Sequence, residues 1–516
     1  MRVENSLKNI YISLLSQIVI VLLGFLSRKV FLDNLGADYL GVNGLLTNIL
    51  SMLSLVEGGI GTSIVYNLYK PLAKNDKEKV SALVQLYKKL YFYIACGVSI
   101  ISICLYPITR SITKNSSNIK FIWIIYSLFV IKNIISYFNA HKWSLINADQ
   151  KGYVIAKYNL FFTIITTVCK IIVLKITQNY ILYLMIELII FIIQNIWNGK
   201  IVNEMYPYIK IKKKYNIDKE TTENIKTNVK ALFLHNIGSF CVLGTDNLLI
   251  GRFIGVISVG LYSNYNMIIS QVHNLISPIL NGIGASVGNL LAIEEKEKSY
   301  FVFNTVYLVN FWMYSVATIF LFNLLEPFIN WWLGSGLLLD RLTFIVLLIN
   351  FYLTGLRSCV LTFKNKSGIF KEDKYMTLVV AFINLTASII LVQYMGIAGV
   401  FIGTTISTIS IPLWNQPKLL YNIVFQKSIW IYLKKYLLYV LVTLFAGTIT
   451  TYLCNKIDLD LIFLSLVIKG IISIVIPSII YTVIFFKTDE FKYLFKLLKT
   501  NIDDKIIKKL NMEKIN

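Results

Sequence analysis

Apolar runs of about twenty residues, the length that crosses a bilayer as a helix, recur along nearly the whole chain and are parted by short polar breaks. The pattern predicts fourteen membrane-spanning helices, near residues 9–31, 39–69, 88–108, 120–140, 153–176, 180–199, 228–252, 259–291, 300–325, 340–363, 375–395, 397–416, 433–455 and 460–486. The split between spans eleven and twelve rests on "MGIAGV" (Met395 to Val400) inside one uncharged run. Ile10 to Ser27 reads as the first span and not as a signal peptide, because it lacks a small-residue cleavage site and more spans follow it. The expected fold class is an all-α polytopic membrane protein.

Polar breaks carry a second pattern. Lysines cluster after even-numbered spans: Lys70, Lys74, Lys77 and Lys79 after span two, Lys142, Lys151 and Lys157 after span four, Lys210, Lys212, Lys213 and Lys214 after span six, and so on to Lys418 and Lys427. Short cytoplasmic loops retain excess Lys and Arg, so this alternation places both termini in the cytoplasm of a multi-pass cell-membrane protein. Charged residues make up only 15% of the chain and mean hydropathy is +0.65. The net charge of +23 is therefore membrane-flanking charge and implies no nucleic-acid partner. The six cysteines are scattered without metal-type spacing. The tail, with Phe491, Leu494, Phe495 and Leu498 among lysines, reads as a basic amphipathic helix on the inner leaflet.

The chain also repeats itself. Gly36 and Gly41 match Gly255 and Gly260 in spacing, "GGIGTS" (Gly58 to Ser63) matches "NGIGAS" (Asn281 to Ser286), and "DKEK" at Asp76 matches "EKEK" at Glu295. Six spans separate the copies, so both cross the membrane in one direction, and parallel repeats of this kind place a substrate site where the halves meet. The organisation expected is a six-helix bundle over 1–200, a cytoplasmic linker 201–227, a second bundle 228–425, two further spans in 426–486 and a cytoplasmic tail 487–516. Each copy's second span is interrupted at the matching place, by Gly58, Gly59 and Gly61 in one and by Pro278, Gly282 and Gly284 in the other, which marks these as hinge candidates.

Charges inside spans are the remaining anomaly. An ionised side chain at mid-span costs roughly 2.5–3.5 kcal/mol on insertion scales, so it faces a cavity or a partner. Glu57, Lys132, Lys170, Glu187, Arg357 and Lys469 lie well inside spans, and Arg28, Asp246 and Arg252 lie toward outer ends. Lys132 in span four and Arg357 in span ten are mates in the repeat, and two cations facing one axis suit a di- or trianionic ligand such as a diphosphate. Arg28 and Asp246 fall at equivalent ends of spans one and seven, where a salt bridge would close an outer gate. His235 and His273 read as packing residues. Phosphate-loop, zinc and nucleophile-elbow motifs are missing and the largest soluble segment is short, so an enzyme is not expected.

Several stretches in order, "TDNLLIGRFIGVISVGLYSNYNMI", "INADQKGY", "NLTASIILVQYMGIAGVFIGTTIST" and "FLDNLGADYLGVNGLLTNILSMLSLVEGGIGTSIVYNLYKPLA", resemble Wzx-type polysaccharide flippases of the multidrug/oligosaccharidyl-lipid/polysaccharide (MOP) superfamily, in the style of Gram-positive capsule clusters. The resemblance covers essentially the whole chain. It implies two six-helix bundles in a V around a central cavity with two extra C-terminal helices, working by alternating access. It implies as substrate an oligosaccharide linked through pyrophosphate to undecaprenol, moved from the inner to the outer leaflet, with membrane lipids and a polysaccharide polymerase and chain-length machinery as partners. Carried onto this chain, Arg28, Lys132 and Arg357, with Lys170 and Arg252, are expected phosphate-side contacts, and Glu57 and Asp246 coupling or gating carboxylates. No cofactor is implied beyond a coupling proton or sodium ion. A MATE-like drug/cation antiporter, whose cavity would be acidic, a lipid II flippase, and a non-transporting assembly partner of the polymerase are the alternatives.

Overall fold

The computed structural model describes residues 2–53, 57, 60–113, 121–149, 151–210, 223, 244–293, 295–369, 372, 375–457 and 459–496. The fold is all-helical, with no strand among the described residues. In chain order the helices are α1 (Arg2–Leu53), α2 (Ile60–Ala73), α3 (Lys77–Thr113), α4 (Ile122–Phe138), α5 (Ala140–Ala148), α6 (Gly152–Thr177), α7 (Tyr180–Met205) and α8 (Asp246–Phe253). They continue with α9 (Val256–Ile293), α10 (Lys296–Leu333), α11 (Arg341–Lys366), α12 (Met376–Ser410), α13 (Pro412–Leu420), α14 (Ile429–Asn455) and α15 (Ile462–Phe485). Among the described residues eight helical stretches are long and apolar enough to cross a membrane, and α4 with α5, bent by 48°, makes a ninth. The protein is a multi-pass membrane protein.

Among the described residues the predicted spans fall on helices, with span seven described only from residue 244 and span two broken between Leu53 and Ile60, and glycines make several of the turns. Gly36 (φ +80°) breaks α1 between spans one and two, Gly255 (φ +137°) parts α8 from α9, and Gly396 (φ +59°) breaks α12 inside "MGIAGV". Each is left-handed backbone that an L side chain resists, so the first two are the same turn made twice, as the repeat predicts. The break in span two lies between Leu53 and Ile60, with Glu57 in it; Gly58 and Gly59 lie outside the described residues. In the second copy the expected interruption is absent: α9 runs unbroken through the backbone of Pro278, Gly282 and Gly284. A proline removes one N–H from the ladder but the flanking turns can continue, which is how membrane helices tolerate it.

The chain divides into two compact units, one of Met1–Ser263 with Thr377–Val400, the other of Asn264–Met376 with Phe401–Asn516. In the first, α1 lies along α6, α6 along α7, and α4 against α3 and α7. Two apolar clusters hold it, one around Phe31, Leu45, Tyr126 and Tyr183 near the Gly36 turn, the other around Leu68, Leu83, Tyr87 and Val202 near the α2–α3 turn. Where the start of α9 crosses α1 the backbones touch: a Cβ on Gly41 would lie 1.9 Å from the Val256 carbonyl oxygen, and one on Gly260 2.5 Å from that of Ala37. Small residues permit this close crossing in lipid, where packing replaces the hydrophobic drive.

The second unit has an aromatic interior between α10, α11, α14 and α15. Phe311 and Tyr439 stack at 4.1 Å between ring centroids, Phe303 stacks on Tyr307, and Tyr481 and Phe485 close on Phe311. Asn310 donates to the carbonyls of Gly355 and Leu356, drawing α11 against α10 so that Tyr314 lies over the missing side chain of Gly355. Beyond α15 a short helix over 489–496 docks on this unit: Phe491 stacks on Trp312, Tyr493 meets Phe301, and Glu490 pairs with Lys435 at 2.9 Å. Phe491 thus faces protein, where the sequence pattern placed it in lipid, because Trp312 offers a flat apolar partner. Phe495 is exposed, and Leu498 lies outside the described residues.

Candidate functional site

The first unit carries a polar line through its apolar interior. Asn179 starts α7 by accepting from the N–H groups of Ile181 and Leu182. Along it, Tyr183, Glu187, Phe191, Gln194 and Asn198 are spaced to share one face. Glu187 is its centre. One carboxylate oxygen takes a hydrogen-bonded ion pair from Lys132 of α4, the other from Lys170 of α6. The Lys170 ammonium also lies 4.1 Å from the Tyr183 ring centroid, and that of Lys132 5.6 Å from the Phe191 ring. Arg28 of α1 donates to Ser263 Oγ at 2.9 Å and has Tyr183 within electrostatic reach. Two lysines thus share one carboxylate, and Arg28 forms no ion pair with a described residue.

This corrects two expectations. Lys132 is not a lone cation, because it shares Glu187 with Lys170, and Glu187 is the partner to which the sequence pattern assigned no role. Arg28 does not bridge Asp246. Its guanidinium goes to Ser263, while Asp246 is buried with Oδ1 unpartnered and forms no ion pair with a described residue. The outer gate expected from their alignment is therefore not formed in this structure. Arg252, at the exposed end of α8, stands apart from the lysine cluster.

Toward the other end of α7 the line turns from charge to amides. A cavity of about 480 Å³ is lined by Glu57, by Tyr137 and Trp143 of α4 and α5, by Asn159 of α6, and by Gln194 and Asn198 among others. Glu57 accepts from the Tyr91 hydroxyl at 3.0 Å, and a Cβ on Gly61 would come 2.7 Å from the Glu57 carboxylate, so the hinge-candidate glycine is what lets the acid sit there. Asn159 Oδ1 accepts from both Gln194 (2.8 Å) and Asn198 (2.7 Å). No part of this amide set was singled out from the sequence, although the spacing of Gln194 and Asn198 on an otherwise apolar helix was a readable signal.

In the second unit Arg357 of α11 lies within electrostatic reach of Tyr432 and Tyr436, and it makes no hydrogen bond or ion pair with any described residue. His273 pairs with the Tyr314 hydroxyl at 2.9 Å, a packing role, and His235 lies outside the described residues. No group of His, Cys, Asp and Glu among the described residues is arranged to hold a metal.

No protein-family model matches the chain, and no curated protein does. Solved structures match along most of its length and share its fold. The lipid II flippase MurJ in its inward closed conformation superposes with a TM-score of 0.65 over 93% of this chain and 98% of its own, at 15% identity. An inward-facing MATE multidrug-resistance transporter of the MOP superfamily gives 0.55 over 77% and 93%, at 14% identity. A MOP superfamily transporter from Pyrococcus furiosus, described by the reverse polarity of its binding pocket, gives 0.53 over 80% and 95%, at 12% identity.

Proposed function

We propose that the protein is a flippase that carries a lipid-linked, pyrophosphate-bearing oligosaccharide across the cytoplasmic membrane by alternating access, for assembly of a capsule or other cell-surface polysaccharide. The observation that carries this reading is the excess of cations in the first unit: Lys132 and Lys170 share a single carboxylate, Glu187, and Arg28 donates to Ser263 and forms no ion pair with a described residue. Two uncompensated positive charges within apolar helices are costly unless a ligand supplies the counter-charge, and a pyrophosphate diester carries about two negative charges. The Glu187 carboxylate holds the lysines apart and pointed inward until the anion takes its place. Lys132, the more exposed of the two, is the arm that exchanges first. The MurJ-type fold supports the reading, since MurJ is named for flipping a lipid-linked substrate. A cation exporter on the MATE pattern is disfavoured by the same charge excess. Loading from the cytoplasm follows from the lysine-rich loops, which also put both termini on that side.

The test is a flipping assay in proteoliposomes with undecaprenyl-pyrophosphate-linked oligosaccharide, with lipid II and a monocationic drug as separate arms. A variant carrying Lys132→Gln, Lys170→Gln and Glu187→Gln together removes the excess charge without leaving an orphan ion. It is expected to stay folded and to lose transport about tenfold or more, the scale of one charge-assisted contact. A folded triple variant that flips normally refutes the anion reading, lipid II transport alone would assign the substrate to the peptidoglycan precursor, and drug exchange alone would restore the antiporter reading.

A further inference from the structure

The cavity at the other end of α7 from Tyr183 has a donor and acceptor inventory of its own. Asn159 Oδ1 already accepts two hydrogen bonds, so its lone pairs are used and its own N–H donors remain for another group. Asn195 accepts from Asn139 through Oδ1, which likewise leaves its N–H groups. Gln194 and Asn198 spend N–H groups on Asn159 and keep carbonyl oxygens. The Asn198 oxygen is buried, in a residue 3% exposed, with no partner among the described residues. An unpartnered buried acceptor costs about 1–3 kcal/mol, so something is expected to meet it. Free donors and free acceptors therefore line one cavity together with the rings of Trp143, Tyr137 and Phe191.

That mixture selects a ligand class. A phosphate accepts only and would meet the carboxylate of Glu57, and a metal cation needs acceptors only. A hydroxyl both donates and accepts, and a sugar ring adds an apolar face that suits an aromatic platform. The cavity, about 480 Å³, falls within the range of small-molecule sites. Glu187 and Asn198 are three helical turns apart on α7, roughly 16 Å along the axis at the usual rise per residue. The cavity runs from Phe191, whose ring lies 5.6 Å from the Lys132 ammonium, to Asn198, so it begins beside the lysine pair and extends away from it along α7.

We propose that this amide- and aromatic-lined cavity is a saccharide subsite, holding uncharged sugar residues while the lysine cluster holds the anionic group of the same molecule. Binding of free sugar stands on the cavity alone; its part in transport rests on the flippase reading above.

The test uses full-length protein in nanodiscs, with methyl α-D-glucopyranoside, methyl α-D-galactopyranoside, N-acetyl-D-glucosamine and inorganic pyrophosphate as probes, read by saturation-transfer NMR and by tryptophan fluorescence. At least one sugar is expected to bind at millimolar concentration and to weaken about tenfold or more in Asn198→Leu and in Gln194→Leu. Asn147→Ala, at an exposed lining position, and Trp143→Phe guard against a folding defect and are expected to weaken binding a few-fold. Lys170→Gln, read well below its own unfolding midpoint, is expected to leave sugar binding unchanged while weakening pyrophosphate. The proposal is overturned if none of the sugars binds the wild type, if bound sugar ignores all four cavity substitutions, or if Lys170→Gln weakens sugar and pyrophosphate alike. If sugar behaves as expected while pyrophosphate ignores Lys170→Gln, the subsite stands and the anion reading of the lysine cluster fails.

Discussion

The two units share a helical vocabulary and differ in what they bury. The first threads ion pairs and amides through its interior, from Lys170 and Glu187 to Asn198. The second fills its interior with stacked rings such as Phe311 on Tyr439 and leaves Arg357 without a partner among the described residues. Its stacked rings stabilise the fold by packing, about 0.5–1.5 kcal/mol per ring pair beyond burial, though the hydroxyls of Tyr436 and Tyr439 are buried with no hydrogen-bond partner among the described residues. A polar interior with excess charge is stable only when its partners are all present, so it is the more economical place to build a binding site. The repeated turns at Gly36 and Gly255 both lie in the first unit.

The largest effect that would break this comparison is expected at Glu187. Glu187→Gln strips the shared counter-charge from two lysines, and breaking a buried pair costs about 3–5 kcal/mol. The Lys132 side chain is 38% exposed and that of Lys170 15%. Most of the loss therefore belongs to the Lys170 arm, the exposed arm being worth about 0–1 kcal/mol. Thermal unfolding in nanodiscs should show Lys170→Gln well below Lys132→Gln in stability. Equal midpoints would mean that the triad is solvated and that the first unit's interior is no more demanding than the second's.

Next in size is the helix crossing. Gly41→Ala drives a methyl into the Val256 backbone carbonyl, which cannot rotate away, whereas Gly355→Ala meets the Tyr314 ring. Overpacking costs about 1–3 kcal/mol, and the value for Gly41 should lie at or above the top of that range, with Gly355 lower. Chemical denaturation of both variants checks the order; the reverse order would show that the α1–α9 crossing yields more readily than the aromatic interior.

Arg357→Met carries the opposite sign. A half-buried guanidinium whose Nε is shut from solvent with no described partner costs the unliganded fold, so replacing it with an apolar side chain of similar reach should stabilise by about 1 kcal/mol. Destabilisation on melting would reveal a counter-charge and make the two interiors alike.

How much of this was legible in the sequence depends on the range of the interaction. The helices, the Gly36 and Gly396 breaks and the repeated turn follow from local patterns, apolar length and backbone freedom, and the structure has them. The triad's lysines were visible because a charge in a span is rare, but their pairing was not: Glu187 lies 55 residues from Lys132 and 17 from Lys170, and only helix packing brings the three together. Alignment by the repeat suggested Arg28 with Asp246, and that pairing is not formed because Arg28 donates to Ser263; for Lys132 it gave no hint of Glu187. The amide cavity escaped notice since single Asn and Gln residues are weak signals until four of them converge.

The smallest effect belongs to the tail of the second unit. Burial alone would raise the Glu490 carboxyl, but the hydrogen bond and charge of Lys435 outweigh it and hold the group below the usual carboxylate range. A carboxyl lowered in the folded state contributes stability that is full above its unfolded value, about 4.3, and is lost as pH falls through the folded value. Docking of the 489–496 helix should therefore weaken only on the acid side, by about 1 kcal/mol or less for one ion pair. Hydrogen exchange of that helix would follow it from about pH 6 downward, and Lys435→Gln should flatten the acid dependence while Phe491 on Trp312 keeps most of the docking. If Phe491→Ala releases the helix at every pH and Lys435→Gln changes nothing, the tail is held as the rest of its unit is, by rings, and the contrast with the charge-built first unit is complete. If Lys435→Gln alone releases it, the second unit also depends on a buried charge, and the division between the two interiors is one of degree.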